Sequence, residues 1–542
     1  MKRVLGRDIV ADNLADLFDW RLAQDPHRRF ARFEDDSVTY GELDRMASRI
    51  QRALARDGIG SGEVLATFMH NSLWHLATLF ACARAGVLWA PINAALGEED
   101  LAYTVKDLAA QRVLVDAELL KSFQAAGGES LGAPAVVVGE GENDGLQRLT
   151  DWLPEHSTAV RAEIHAGDPF CVMYSGGTTG RPKGVVLPHF AAVSCAMRIA
   201  EAADFREREV WFSSSHLYHA LLPCGVLPLC LLHGYEVCFT RWWSAGSFVD
   251  QVRKYAATIV DPFIGMVATL LHTPERADDA DIPARLSISG YGGADPASRE
   301  LRLRYEKRFG VRTLQPYGQT EAGGFVTTEF EREPVKTGSS GKLRGWFELE
   351  IVDEEGLPLR AGEIGEIRVR PRAPHMMAHG YLNRPEETLR NWRDLWVHTG
   401  DHGYLDDEGD LFFVGRQGHF LRRRGELVSV AEVEEVLGRF PGVQEVAVVA
   451  VPSELGEDDI KCCVVPKAGV ALEPQELIDF CAEKLARFKV PRFVEFWDAL
   501  PRTATKAEID RVALRRSGVC DAWDAGAGGR DRGARRSGGS DG

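Results

Sequence analysis

The sequence predicts an α/β fold: a large N-terminal domain of two α/β sheet subdomains plus a β-rich subdomain, followed by a small α+β C-terminal domain. Three observations carry this expectation. Helical patterns alternate with short apolar runs from about residue 40, period-two alternation sets in after about residue 335, and a compact strand-and-helix unit follows Arg416. At 542 residues the chain exceeds what one hydrophobic core usually supports, so two or more domains are expected.

In the first block YGELDRMASRIQRALARDG (40–58) has helical period, and EVLATFM (63–69) and QRVLVD (111–116) are short apolar runs of strand length. A second alternating block contains DPFCVMYS (168–175) and ATIVDPFIG (257–265), with amphipathic segments around them. GWFELEIVDEEGLPL (345–359) and GEIGEIRVRP (362–371) alternate with period two and carry turn residues, which predicts antiparallel strands. The C-terminal unit reads as helix 431–440, strand 445–452, strand 459–467 and helix 473–488. The expected division is 1–415 for the large domain and 423–515 for the small one. Residues 516–542 are expected to be a disordered tail, because from 524 onward glycine, serine and charge leave almost nothing to bury.

The composition, 45% hydrophobic and 27% charged, is that of a soluble globular protein. A formal charge of −16, from 64 basic and 80 acidic residues, argues against nucleic-acid binding, which needs a basic face. A small-molecule partner is more natural. The ten cysteines are scattered, without the spacing of a zinc or redox site, and read as reduced thiols mostly in the core. The opening MKRVLGRDIVADNLADLF is interrupted by acidic residues before any apolar run of signal length. LLPCGVLPLCLLHG (221–234) falls short of the ~20 residues of a membrane helix. A cytoplasmic enzyme with no membrane partner is therefore expected; oligomeric state is not legible.

The strongest local signal is YSGGTTGRPKGVVLPH (174–189), an apolar run ending in a loop of glycines and hydroxyls with a lysine inside. Such a loop suits a polyphosphate. Gly176, Gly177 and Gly180 let backbone N–H groups approach the oxygens, Ser175, Thr178 and Thr179 donate, and Lys183 neutralises charge. It is not the common nucleoside-triphosphate loop, because Arg181 and Pro182 separate Gly180 from Lys183.

The string resembles the phosphate-binding signature of the adenylate-forming superfamily, which comprises acyl-CoA synthetases, peptide-synthetase adenylation domains and luciferases. Further matches follow in that family's order: GGAD (292–295), YGQTEAGG (317–324), HTGDHGYLDDEGDLFFVGR (398–416) and RRGELVS (423–429). The resemblance spans roughly residues 10–515 and looks closest to the carnitine and medium-chain acyl-CoA ligase branch. It implies ATP, Mg²⁺ and coenzyme A as cofactors and a small-molecule carboxylic acid as substrate, with Asp401 holding both ribose hydroxyls and Arg416 behind it. It implies also that Gly292, Gly293 and Ala294 line the adenine face and that His219 flanks the acyl pocket. In Tyr317-Gly318-Gln319-Thr320-Glu321 the chemistry offers a ring for adenine, a hydroxyl for the α-phosphate and a hard oxygen ligand for Mg²⁺. Arg423, Arg424 and Gly425 are the candidates for coenzyme A, and residues 416–422 for the hinge that makes the small domain mobile.

The chain departs from the family pattern in places. The catalytic lysine of the terminal segment has no direct counterpart in LPRTATKAEIDR (500–511). Aligned on Arg511 the position holds Glu508; aligned on Thr505 it holds Ala507, with Lys506 one residue early. Either Lys506 serves by a local shift or the lysine is lost. The hinge carries His419, Leu427 replaces a common asparagine, and Gly176 replaces a serine. The expected function is adenylation of a carboxylic acid with pyrophosphate release, then transfer to coenzyme A. The alternatives are a biosynthetic member with another acid or acceptor (amide formation, carrier-protein loading, nitrite activation for diazotisation) and a non-catalytic nucleotide-binding homologue.

Overall fold

The computed structural model describes residues 2–155, 161–175, 182–290, 293–294, 296–416, 420–423, 426–452, 458–502 and 509–527. Its first sheet has eight strands in the order Gly380–Tyr381, Lys183–Pro188, Pro169–Ser175, Leu88–Ile92, Val64–Phe68, Arg112–Asp116, Ala135–Val138 and Gln147–Arg148. The run from Pro169–Ser175 onward is parallel, and Lys183–Pro188 lies antiparallel to both its neighbours. Val64–Phe68 and Leu88–Ile92 are buried at every residue, as central parallel strands covered on both faces must be.

The second sheet has seven strands, with Val210–Phe212, Glu236–Phe239, Ile259–Val260, Leu286–Ile288 and Arg312–Leu314 all parallel and Asp36–Thr39 antiparallel at one edge. The apolar stretch 257–265 forms a strand only at Ile259–Val260, and a helix begins at Ile264. Two causes act on Asp261-Pro262: proline removes a ladder donor, and the Asp261 carboxylate is committed to Trp211 Nε1, Ser213 Oγ and the Ser214 N–H.

Helices fill the space between and around the sheets. Tyr40–Arg56 starts on a capping box, Thr39 Oγ1 accepting from Glu42 N–H while Glu42 accepts from Thr39 N–H, and buries Tyr40, Leu43, Ala47, Ile50 and Leu54 at helical spacing. Leu73–Ala85 is buried from His75 through Arg84, so it has no solvent face and packs as the centre of the main core.

The β-rich subdomain is antiparallel: Phe347–Val352, Gly365–Pro371, Trp396–Leu405 and Leu411–Arg416 pair in sequence, with Trp392–Arg393 at the side. The C-terminal unit has a four-stranded sheet ordered Val443–Pro452, Asp458–Pro466, Phe493–Phe496 and Trp523–Asp524, against helices Val430–Gly438 and Pro474–Lys484. That last strand and helix Arg511–Arg516 reach past residue 515, the end expected for the small domain. The physical reason is local: Trp523 packs on the sheet, and Arg492 pairs with both Asp459 and Asp524. Residues 528–542 lie outside the described residues. Nine of the ten cysteines are buried and Cys520 is exposed. Among the described residues no helix is long and apolar enough to cross a membrane; Leu221–Val226 is a π-helical turn leading into the short helix Leu227–His233.

Candidate active site

The site begins at an edge of the first sheet. Strands Pro169–Ser175 and Lys183–Pro188 are antiparallel with Ser175 opposite Lys183, so the glycine-and-hydroxyl loop leaves and returns at adjacent backbones. Its residues Gly176, Gly177, Thr178, Thr179 and Gly180 lie outside the described residues. The second part is a hairpin of Pro316–Gln319 and Gly324–Thr328 whose tip is the single 3₁₀ turn Thr320–Ala322. Two glycines make that tip possible. A Cβ on Gly318 would stand 2.1 Å from the Gly324 carbonyl oxygen, and one on Gly323, at φ +66, would stand 2.3 Å from the Met376 carbonyl oxygen.

The segment that follows Met376 ties the two parts together. Ala378 N–H donates to the Glu321 carbonyl at 3.0 Å and His379 N–H to the Val186 carbonyl at 2.8 Å, after which Gly380–Tyr381 pairs with Lys183–Pro188. As a result Glu321 Oε1 receives Ser175 Oγ at 3.5 Å and the Tyr381 hydroxyl at 3.1 Å, and Asn391 Nδ2 donates to that hydroxyl at 3.0 Å. Burial, and then the neighbouring Glu321 carboxylate, push the Tyr381 phenol well above its ordinary range, which keeps it a neutral donor. Lys183 is ion-paired with Glu387 and lies 5.2 Å over the Tyr381 ring.

Glu321, Thr320, Gln319, Gly318, Ser175 and Arg416 line one cleft of about 200 Å³, whose other wall includes Asn93, Tyr174, Tyr218 and His219. His219 meets Tyr218 edge-on at 4.8 Å and Phe263 at 6.5 Å, so it is part of an aromatic wall. A larger concavity of about 700 Å³, lined by residues such as Glu354, Arg393, His398 and His402, contains none of the phosphate-directed residues; size does not locate the site here.

Asp401 and Arg416 are brought together by strand register, since they are direct partners in the hairpin of Trp396–Leu405 and Leu411–Arg416. Arg416 Nε donates to Asp401 Oδ1 and the Tyr317 hydroxyl to Oδ2, both at 2.9 Å. Burial raises the Asp401 carboxyl above its usual range against the opposing pull of Arg416 and Tyr317. For Arg416 burial acts downward, but Asp401 and Glu321 outweigh it and hold the guanidinium charged. The Tyr317 ring, expected beside adenine, stacks on Phe413 at 5.8 Å, and Ala294 N–H donates to the Phe413 carbonyl at 2.8 Å. Gly293 and Ala294 therefore reach the Tyr317 region through Phe413, while Gly292 lies outside the described residues.

Glu366 holds the HTGD segment in place. Its Oε2 meets His398 Nδ1 at 2.8 Å and its Oε1 accepts from Gly400 N–H at 3.2 Å, one residue before Asp401. Lys506, Arg424 and Gly425 lie outside the described residues. Arg423 ends the strand Phe420–Arg423, with only its backbone described. Glu366, Tyr381, Glu387 and Asn391 are site residues that the sequence reading missed. The last three belong to GYLNRPEETLRN (380–391), which looks like a surface turn and helix until the strand pairing is known.

Among the described residues no three His, Cys, Asp or Glu side chains form a metal cage. Glu321 with neighbouring hydroxyls fits Mg²⁺ instead, an ion that binds through one or two carboxylates together with nucleotide phosphates.

Two family descriptions match the chain: AMP-binding enzyme over residues 18–382, and AMP-binding enzyme C-terminal domain over residues 432–506. Crotonobetaine/carnitine–CoA ligase of Salmonella paratyphi B is 28% identical over 478 residues, covering 86% of this chain and 91% of that protein. Among solved structures, the anthranilate CoA ligase AuaEII in complex with anthranoyl-AMP is 25% identical with a TM-score of 0.80, covering 95% of this chain and 99% of that one. ATP-bound MatB from Rhodopseudomonas palustris is 26% identical with a TM-score of 0.81, covering 93% and 99%. With the matched family spanning most of its length and the cleft built from that family's motifs, this chain belongs to the AMP-binding enzymes, the adenylate-forming superfamily.

Proposed function

We propose that the protein is an AMP-forming acid–CoA ligase, which adenylates a small-molecule carboxylic acid with release of pyrophosphate and then transfers the acyl group to coenzyme A. The observation that carries this reading is the meeting of Ser175 with Thr320 and Glu321 at one cleft, which Arg416, paired with Asp401, also lines. The named relatives, CoA ligases for carnitine-type and aromatic acids, support it.

In the first half-reaction a carboxylate oxygen attacks the α-phosphorus in line, the bond to the β-phosphate oxygen breaks, and pyrophosphate leaves. The demand on the protein is positioning and charge compensation, and no general base is needed because the nucleophile is already an anion. Lys183 and the loop holding Thr178 and Thr179 compensate phosphate charge, and Thr320 donates to the α-phosphate. Asp401 accepts from the ribose hydroxyls, its carboxylate oriented by Arg416 and Tyr317. Gly292, Gly293 and Ala294 border the adenine, and His219 flanks the acid. Glu321 would hold Mg²⁺, which would supply charge neutralisation to the phosphates. In the second half-reaction the coenzyme A sulfur attacks the acyl carbonyl and AMP leaves, with Arg423, Arg424 and Gly425 toward coenzyme A. Residues 416–422 serve as the hinge between large and small domains, and Lys506 is the candidate for the adenylation lysine.

The test is pyrophosphate release across carboxylic acids, including carnitine, crotonobetaine and anthranilate, and nitrite, with and without coenzyme A. Acid-dependent release with thioester formation is the expected result. An adenylate without thioester assigns a different acceptor, and no release with any acid contradicts adenylation.

A further inference from the structure

The short helix Pro385–Asn391 turns one face toward the phosphate-directed residues. Arg384, Glu387, Thr388 and Asn391 share that face by helical spacing. Each of the last three has a partner in the site: Glu387 pairs with Lys183, Thr388 Oγ1 accepts from Tyr381 N–H at 2.9 Å, and Asn391 Nδ2 donates to the Tyr381 hydroxyl at 3.0 Å. Tyr381 in turn donates to Glu321. The helix thus holds the lysine directly and the acidic tip through one tyrosine.

The Lys183–Glu387 contact differs in kind from the other two. The Tyr381 bonds are compatible with a bound nucleotide, since they fix the neighbour of Glu321 from behind. The Glu387 carboxylate instead occupies the ammonium that the phosphates require. Lys183 and Glu387 are 27% and 30% exposed, so the pair is wet and exchangeable rather than sealed in a core. The Glu387 carboxylate is not left uncompensated when Lys183 departs, because Arg384 Nε stands 3.9 Å from Glu387 Oε1.

We propose that Glu387 is a positioning residue that holds Lys183 in the nucleotide-free enzyme and yields it to the β- and γ-phosphates when ATP binds. This rests on the adenylating reading. Glu387 pre-orients the lysine beside Tyr381 and at the same time competes with the nucleotide. ATP affinity therefore includes the breaking of one ion pair, whereas a ligand without β- and γ-phosphates leaves that pair intact.

The experiment is equilibrium titration of the full chain with MgATP, pyrophosphate and AMP, for the wild type, Glu387→Gln, Lys183→Gln and the double variant. Glu387→Gln is expected to tighten ATP and pyrophosphate by about two- to fivefold, the range an exposed ion pair supports, and to leave AMP unchanged. In the Lys183→Gln background the same change is expected to have no effect, which separates exchange from simple removal of a nearby negative charge. Unchanged or weakened ATP binding in Glu387→Gln, or equal tightening without Lys183, overturns the proposal while leaving adenylation standing. A wild type that takes up no ATP contradicts the adenylating reading itself. Near-wild-type melting of Glu387→Gln serves as the folding control.

Discussion

Glu321 depends on two hydroxyls, both delivered by strands of the first sheet. Ser175 and Tyr381 are separated from it by 146 and 60 residues in sequence, yet both donate to the same carboxylate oxygen. Replacing Tyr381 with Phe removes a hydrogen bond to a charged group, for which ~1.5–3 kcal/mol is typical, so kcat/KM is expected to fall roughly tenfold or more. Glu321→Gln keeps the size of the side chain and removes its charge. Turnover should drop and the magnesium concentration for half-maximal rate should rise; an unchanged magnesium dependence would count against Glu321 as the ligand. Asp401 is legible in the sequence because HTGD carries it, but its supports are not. Tyr317 and Glu366 touch this segment across 84 and 34 residues, distances that no local pattern encodes.

At the scale of elements, the helix Leu73–Ala85 and the small-domain sheet each hide a polar group whose burial has a measurable consequence. His75 is buried, with Nε2 meeting Thr67 Oγ1 at 2.8 Å and Nδ1 meeting the His70 carbonyl at 3.0 Å, and burial lowers its pKa to about 4. The native state thus refuses a proton that the unfolded chain accepts near ~6.5. Its stability contribution is present above that value and is lost as pH falls through about 4. Thermal unfolding between pH 7.5 and 4.5 should show a shallower acid loss for His75→Gln than for the wild type. In the small domain Lys461 is fully enclosed and donates to Glu495 at 2.7 Å, Ser517 Oγ at 2.8 Å and the carbonyls of Leu514 and Gly518. Lys461→Met strands a buried carboxylate, a loss of ~3–5 kcal/mol. Limited proteolysis should then cut first in the 511–524 segment that this lysine anchors. Helix Tyr40–Arg56 is legible from period, and the strands at 64–68 and 112–116 from the length of their apolar runs. The two-residue strand at Ile259–Val260 is not, because an apolar run reads the same whether it continues as strand or turns into helix. The strand at Trp523–Asp524 is likewise hidden, since its partner Phe493–Phe496 lies across a helix and a loop.

For the whole molecule, the first α/β sheet, the hairpin after the second sheet and the antiparallel subdomain each contribute residues to a shared cleft. The first sheet brings Ser175, the hairpin after the second sheet brings Thr320 and Glu321, and the β-rich unit brings Arg416, the register partner of Asp401. The architecture is legible from the alternation of patterns, and the family from the order of its motifs. The contacts made by helix Pro385–Asn391 are legible from neither. The central claim is that the Lys183 and Glu321 segments close on one magnesium-bound triphosphate. Its most direct test is a calorimetric titration with MgATP of the wild type, Lys183→Gln, Glu321→Gln and the double variant. Single-site uptake by the wild type, weakened in each variant with non-additive losses, is the predicted result. No uptake by the wild type, or binding indifferent to both substitutions, would contradict it.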